Sequence, residues 1–265
     1  MTTNTRTPRA SDIPMTSRAD VRTVLDGVLT AMDHQLGELD PADAALPTDC
    51  SRWDVRAMIA HVVASTEEVG KPGKTVRRMI GGHRRYRDLN QLDARNEWHT
   101  ELFDGDIGQL REQLRAFRTD ALARVNRTPR PLDGLRVPSG IPGGPKVALG
   151  HLARVIIPRD TWMHGIDLAR ATGKPRVGGT HDDALVEQVL RDLALGWSGP
   201  AVELRVTGVH EGRWLIGSGA PVAVLSADAL ELCRALAGRP AEHPVVLVEG
   251  DQERVTTLES AVVLF

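Results

Sequence analysis

VALGHLARVIIPRDTWMHGIDLARATGKP, residues 147–175, reads as one long helix from Val147 to Thr172. Gly173 and then Pro175 stop it in the usual order, a residue free to turn left-handed followed by one that cannot continue a helix. Pro158 lacks an amide proton and crowds the preceding turn, so the helix either kinks there or begins near Ile157. Asp160 and His164 stand four apart and therefore point the same way, one turn above the other, with Asp167 following in the same arc. Leu149, Ile156 and Met163 share that arc, so the polar trio sits in a core-facing stripe where polar groups need partners.

A protein built around such a stripe needs facing helices, and the upstream sequence supplies them. Val21, Val24, Leu25, Val28, Leu29, Met32 and Leu36 follow helical spacing behind Ser17 as a cap. After a Pro- and Asp-rich loop at 40–50, Ser51 opens a second helix whose apolar stripe includes Val55, Met58, Ile59, Val62, Val63 and Val69. Its other side carries Ala57, Ala60, His61 and Ala64, small residues that permit close packing, which points His61 into protein. A basic loop is expected at 71–88, helices at 89–102 and 107–125, and a Pro- and Gly-rich loop at 129–145.

Beyond Gly178 the texture changes to a helix at 182–195, strand-like runs at 202–209, 213–216, 222–225 and 245–248, and a helix at 227–237 closed by Gly238. The fold class is therefore α+β: a flexible tail at 1–15, a helical bundle at 16–177 and a small α/β domain at 178–265. The 265 residues carry a net charge of −2 and no basic stripe, which argues against nucleic acid as a partner. No apolar run suits a membrane span or a secretory signal. Cys50 and Cys233 form no metal or redox spacing, which fits a reducing, cytoplasmic setting. Basic charge falls mostly on Arg, with Lys only at 71, 74, 146 and 174, a bias that suggests a high-GC genome.

His61 is the natural third member beside Asp160 and His164, because facing bundle helices present side chains to a common centre. Two imidazoles and one carboxylate form an open set that accepts Zn²⁺ or Fe²⁺. Spacing alone also allows a hydrogen-bonded Asp–His pair and a satisfied core histidine. Asp167 reads either as an acceptor that orients a ligand histidine or as a partner of Arg170. Trp53 and Trp162 read as core anchors, Cys50 as an inert loop thiol, and His83, His99, His151, His181, His210 and His243 as surface or packing residues.

LPTDCSRWDVRAMIAHVV and RDTWMHGIDLARATG resemble two segments of the mycothiol-dependent maleylpyruvate isomerase family within the DinB-like superfamily. VTGVHEGRWLIGSG and the Leu-Ala-Gly-Arg stretch ending at Arg239 are similar to that family's C-terminal domain, so the resemblance spans nearly the whole chain. It implies a DinB-like four-helix bundle followed by a sterol-carrier-like α/β domain, an actinobacterial source and a metal held by His61, Asp160 and His164. Asp160 departs from the family's usual Glu, which points to a divergent branch with another substrate. The implied chemistry is a divalent cation, Zn²⁺ or Fe²⁺, holding mycothiol as thiolate for addition to an electrophilic small molecule, with Arg239 as the cation for a substrate carboxylate. Arg239 also reads as a helix C-terminal cap. The implied enzyme is an isomerase or, alternatively, a thiol S-transferase on a xenobiotic or secondary metabolite, a monomer or homodimer. A third reading is a non-catalytic binding module, with Asp167 or Cys50 closing the metal's coordination.

Overall fold

Apolar side chains at helical spacing become buried seams in the computed structural model, which describes residues 7–139, 144, 146–241 and 243–265. The chain divides into two units, Ser17–Gly179 and Thr180–Phe265 joined by the described residues up to Thr16. In the first unit the helices are α1 (Val21–Gly37), α2 (Val55–Gly70), α3 (Pro72–Arg85), α4 (Gln91–His99), α5 (Ile107–Arg124), α6 (Leu149–His151) and α7 (Ile157–Thr172). α1, α2, α5 and α7 pack as a four-helix bundle in which α1 and α2 each touch both α5 and α7. Leu25, Leu29 and Met32 from α1 meet Met58, Ile59 and Val62 from α2, Leu110 and Leu114 from α5, and Leu168 from α7. Each such side chain stabilises the bundle by about 1.5–3 kcal/mol through the apolar surface it removes from water.

Local signals start these helices. Ser17 Oγ accepts from the amides of Ala19 and Asp20 one turn before α1, and Asp54 accepts from Ala57 to cap α2. Gln35 donates to the Gly165 carbonyl at 2.9 Å, tying α1 to α7. Gly70 lets α2 approach α5 closely, since a Cβ there would lie 2.8 Å from Asp120 Cβ.

Four expectations are corrected here. The segment at 71–88 is not a loop: Pro72 opens α3 at a helix start, where its missing amide proton is harmless. Its Gly81-Gly82 pair looks like a breaker but serves packing, because a Cβ on Gly82 would meet the Ala94 carbonyl oxygen of α4 at 2.7 Å. The stretch at 129–145 is not all loop, since β1 (Arg136–Pro138) pairs antiparallel with β2 (Lys146–Ala148). Residues 140–143 and 145 lie outside the described residues. The long helix does not begin at Val147, which is in β2, but at Leu149. It runs through a π-helical turn, Leu152–Ile156, into α7. A wider turn just before Pro158 accommodates a residue that has no amide to give and whose ring crowds the turn behind it. Finally, the tail expected at 1–15 is ordered from residue 7: the Leu215 amide donates to the Pro8 carbonyl at 2.8 Å and Ala10 is fully buried. Residues 1–6 lie outside the described residues.

The second unit is a mixed sheet of β3 (Val202–Thr207), β4 (Gly212–Ile216), β5 (Ala223–Asp228) and β6 (Val246–Gly250) in the order β4-β3-β5-β6. β3 and β5 are parallel and the other pairs antiparallel. The unit's helices are α8 (His181–Gly196), α9 (Ala229–Leu236) and α10 (Glu253–Glu259), the last carrying no strong sequence signal. Among the described residues no helix is long and apolar enough to cross a membrane.

The α3–α4 hairpin is held to α2 by charge. Glu68, 4 % exposed, receives Arg78 Nη1 at 3.4 Å, Arg95 Nε at 2.9 Å and His99 Nε2 at 2.8 Å. Burial by itself would raise the Glu68 carboxyl, but the His99 hydrogen bond and the Arg95 charge outweigh it and hold the group at about 2. Removing this charge strands buried donors, so Glu68→Gln should lose about 3–5 kcal/mol of stability in urea unfolding. Because the folded group is depressed below its ordinary 4.5, its contribution is complete above that pH and disappears as pH falls toward 2. The wild type should therefore lose stability over that window more steeply than Glu68→Gln.

Candidate metal centre

α2 and α7 present three donors to one point. His61 Nε2 lies 3.6 Å from Asp160 Oδ2, and His164 Nε2 lies 3.4 Å from Asp160 Oδ1. The two rings meet edge to face with centroids 5.0 Å apart. One donor atom from each of His61, Asp160 and His164 falls within 4.8 Å of the others, a grouping able to hold a metal ion. The sequence placed these three together, and the structure brings them together.

Burial shapes the site. Both imidazoles are almost entirely enclosed, while Asp160 keeps 32 % of its side-chain surface. Trp53 is more than a core anchor: its ring centroid lies 4.7 Å from His61 and 5.9 Å from His164. Nδ1 of His61 and Nδ1 of His164 are buried without a hydrogen-bond partner among the described residues. A set of two imidazole nitrogens and one carboxylate, open on one side, suits a Zn²⁺ or Fe²⁺ ion with positions left for other ligands.

The electrostatics of the three are coupled. Burial pushes His61 down and the nearby Asp160 carboxylate only partly offsets it. For His164 burial also pulls down, but Asp160 and Asp167 together outweigh it and raise the ring to about 9. Asp160, which burial alone would raise, is held well below the carboxylate range by the two histidines.

Other candidates fall as follows. Asp167 is fully buried, its Oδ2 3.4 Å from His164 Nδ1 and 3.9 Å from Cys50 Sγ. Arg170 Nε lies 3.8 Å from Asp49. Cys50, read from sequence as a loop thiol, forms with His164 and Asp167 a second grouping of donor atoms that shares His164 with the first. Arg239 belongs to the second unit, where Nη1 donates to the Ala237 carbonyl at 3.0 Å at the end of α9, the geometry of a helix cap. His99, read from sequence as a surface or packing residue, is fully buried with its ring 5.2 Å from His61. Its signal was the Trp98-His99 pair in a helical segment, which carries no spacing to a ligand.

An imidazole must be neutral to bind a metal, so an ion at His164 would compete with a proton held up to about pH 9. Apparent affinity of the protein for Zn²⁺, measured by chelator competition, should rise about tenfold per pH unit toward pH 9 and level off above it.

Residues 25–169 match the family model described as mycothiol maleylpyruvate isomerase N-terminal domain. None of the curated proteins searched matches the chain. Among solved structures, the chain is similar to a crystal structure of the mycothiol-dependent maleylpyruvate isomerase, at 17 % identity and a TM-score of 0.54, over 92 % of this chain and 96 % of that one. It is also similar to a histidine-to-alanine mutant of such an isomerase, at 15 % identity, a TM-score of 0.53 and the same coverage. At these identities the likeness establishes the fold. With more than half of its length matching the domain model, and with two imidazoles and a carboxylate converging between α2 and α7, the chain belongs to the mycothiol maleylpyruvate isomerase N-terminal domain family.

Proposed function

We propose that this protein is a metal-dependent enzyme that uses a low-molecular-weight thiol, mycothiol, to act on a small electrophile, in the manner of a maleylpyruvate isomerase. The observation that carries the reading is the convergence of His61, Asp160 and His164 in a chain of this family. A divalent cation, Zn²⁺ or Fe²⁺, held by these three would supply the positive charge that keeps a thiol's sulfur as thiolate near neutral pH. His61 and His164 would hold that ion from buried, sterically fixed positions, and Asp160 would lower the charge of the group while leaving its exposed side open. Trp53 would shield the imidazoles from water. The substrate thiolate adds to a cis carbon–carbon double bond, the resulting single bond rotates, and elimination restores the double bond in trans and returns the thiol.

Two cysteines in 265 residues, with no metal or redox spacing, support a reducing, cytoplasmic setting. The shorter Asp160 in place of the family's Glu favours a second reading, transfer of the thiol to a xenobiotic or secondary metabolite. The two differ in stoichiometry, because a transferase consumes one thiol per product and an isomerase consumes none.

Elemental analysis should find about one equivalent of metal in the wild type and almost none in His61→Ala or His164→Ala. Thiol binding by calorimetry should vanish in both variants and after chelation. Wild-type protein that resists metal loading, or thiol binding indifferent to the metal, would overturn the reading.

A further inference from the structure

A fully buried carboxylate in the middle of a packed helix is expensive unless something nearby uses its charge. Asp167 is such a group, at 0 % exposure on α7. Its place relative to His164 is specific: one turn on, with Oδ2 3.4 Å from Nδ1. The other nitrogen of that ring, Nε2, faces Asp160 Oδ1 at 3.4 Å, on the side where His61 stands. The two nitrogens of one imidazole are thus divided between two carboxylates, one inside the metal grouping and one behind it. The ring sits off the hydrogen-bond line, so Nδ1 approaches Asp167 as an ion pair and not as an aligned donor.

We propose that Asp167 is a positioning residue: it accepts the Nδ1 proton of His164 and so commits Nε2 to the metal. An imidazole tethered at one nitrogen loses its freedom to flip, and a carboxylate acceptor makes the opposite nitrogen a stronger donor. Asp167 therefore acts on the ion through His164. Cys50 Sγ, 3.9 Å from the same Oδ2, lies on the edge of this carboxylate and is too weak a donor to take over that function.

This inference rests on the reading of a metal bound by His61, Asp160 and His164, and its test separates the two. Zn²⁺ affinity is measured by chelator competition for the wild type and for Asp167→Asn. The wild-type Zn²⁺ form is also examined by ¹⁵N-histidine NMR, which needs no variant to fold. The expected result is a His164 ring ligated through Nε2 with a protonated Nδ1, together with an affinity loss of about tenfold to a hundredfold in Asp167→Asn. The Co²⁺ form of that variant should show a shifted visible absorption spectrum. Ligation through Nδ1, or a loss smaller than about tenfold, would overturn the role of Asp167 while leaving the metal reading intact. A wild type that binds no Zn²⁺ would overturn both.

Discussion

Two imidazoles buried within 5.0 Å of each other repel when both are protonated and gain little when both are neutral. Asp160 resolves this by offering one oxygen to each Nε2. Its negative charge sets the protonation of both rings, raising His164 to about 9 while burial keeps His61 low. The packing of the bundle brings α2 and α7 close enough for His61 to share that carboxylate with His164. The π-helical turn before Pro158 sets the phase at which α7 emerges, and with it the direction of Asp160.

A second charge system supports the first from behind. Glu68, two turns along α2 from His61, gathers Arg78 and Arg95 with His99 and anchors the α3–α4 hairpin. His99 connects the two systems, bonded to Glu68 on one side and tilted against the His61 ring on the other. Buried ion networks of this kind contribute less to net stability than to fixing one arrangement among several, because every member must be satisfied at once. Here the arrangement so fixed includes the surroundings of the His61 ring.

Membership in the isomerase family is carried by the bundle, and the chemistry proposed for it uses only what the bundle buries: two imidazoles, one half-exposed carboxylate and an indole wall. The divergence of this chain is visible at the same place. Asp160 is one methylene shorter than the Glu that the family resemblance leads one to expect, and it is the partly exposed member of the three.

The sequence by itself determined the bundle helices and the three converging donors, because helical periodicity and i, i+4 spacing are local and survive without knowledge of partners. It misjudged α3, where Gly81-Gly82 signals a break in isolation but provides the room in which Ala94 of α4 packs. His99 and Glu68 were illegible for the same reason: their importance lies in contacts across helices α2, α3 and α4, separated by tens of residues. The N-terminal segment looked like a tail because its pairing partner, Leu215, lies far downstream. Only the tertiary structure decided which nitrogen of His164 faces Asp160 and which faces Asp167, since ring orientation is set by neighbours packed in three dimensions and leaves no trace in spacing.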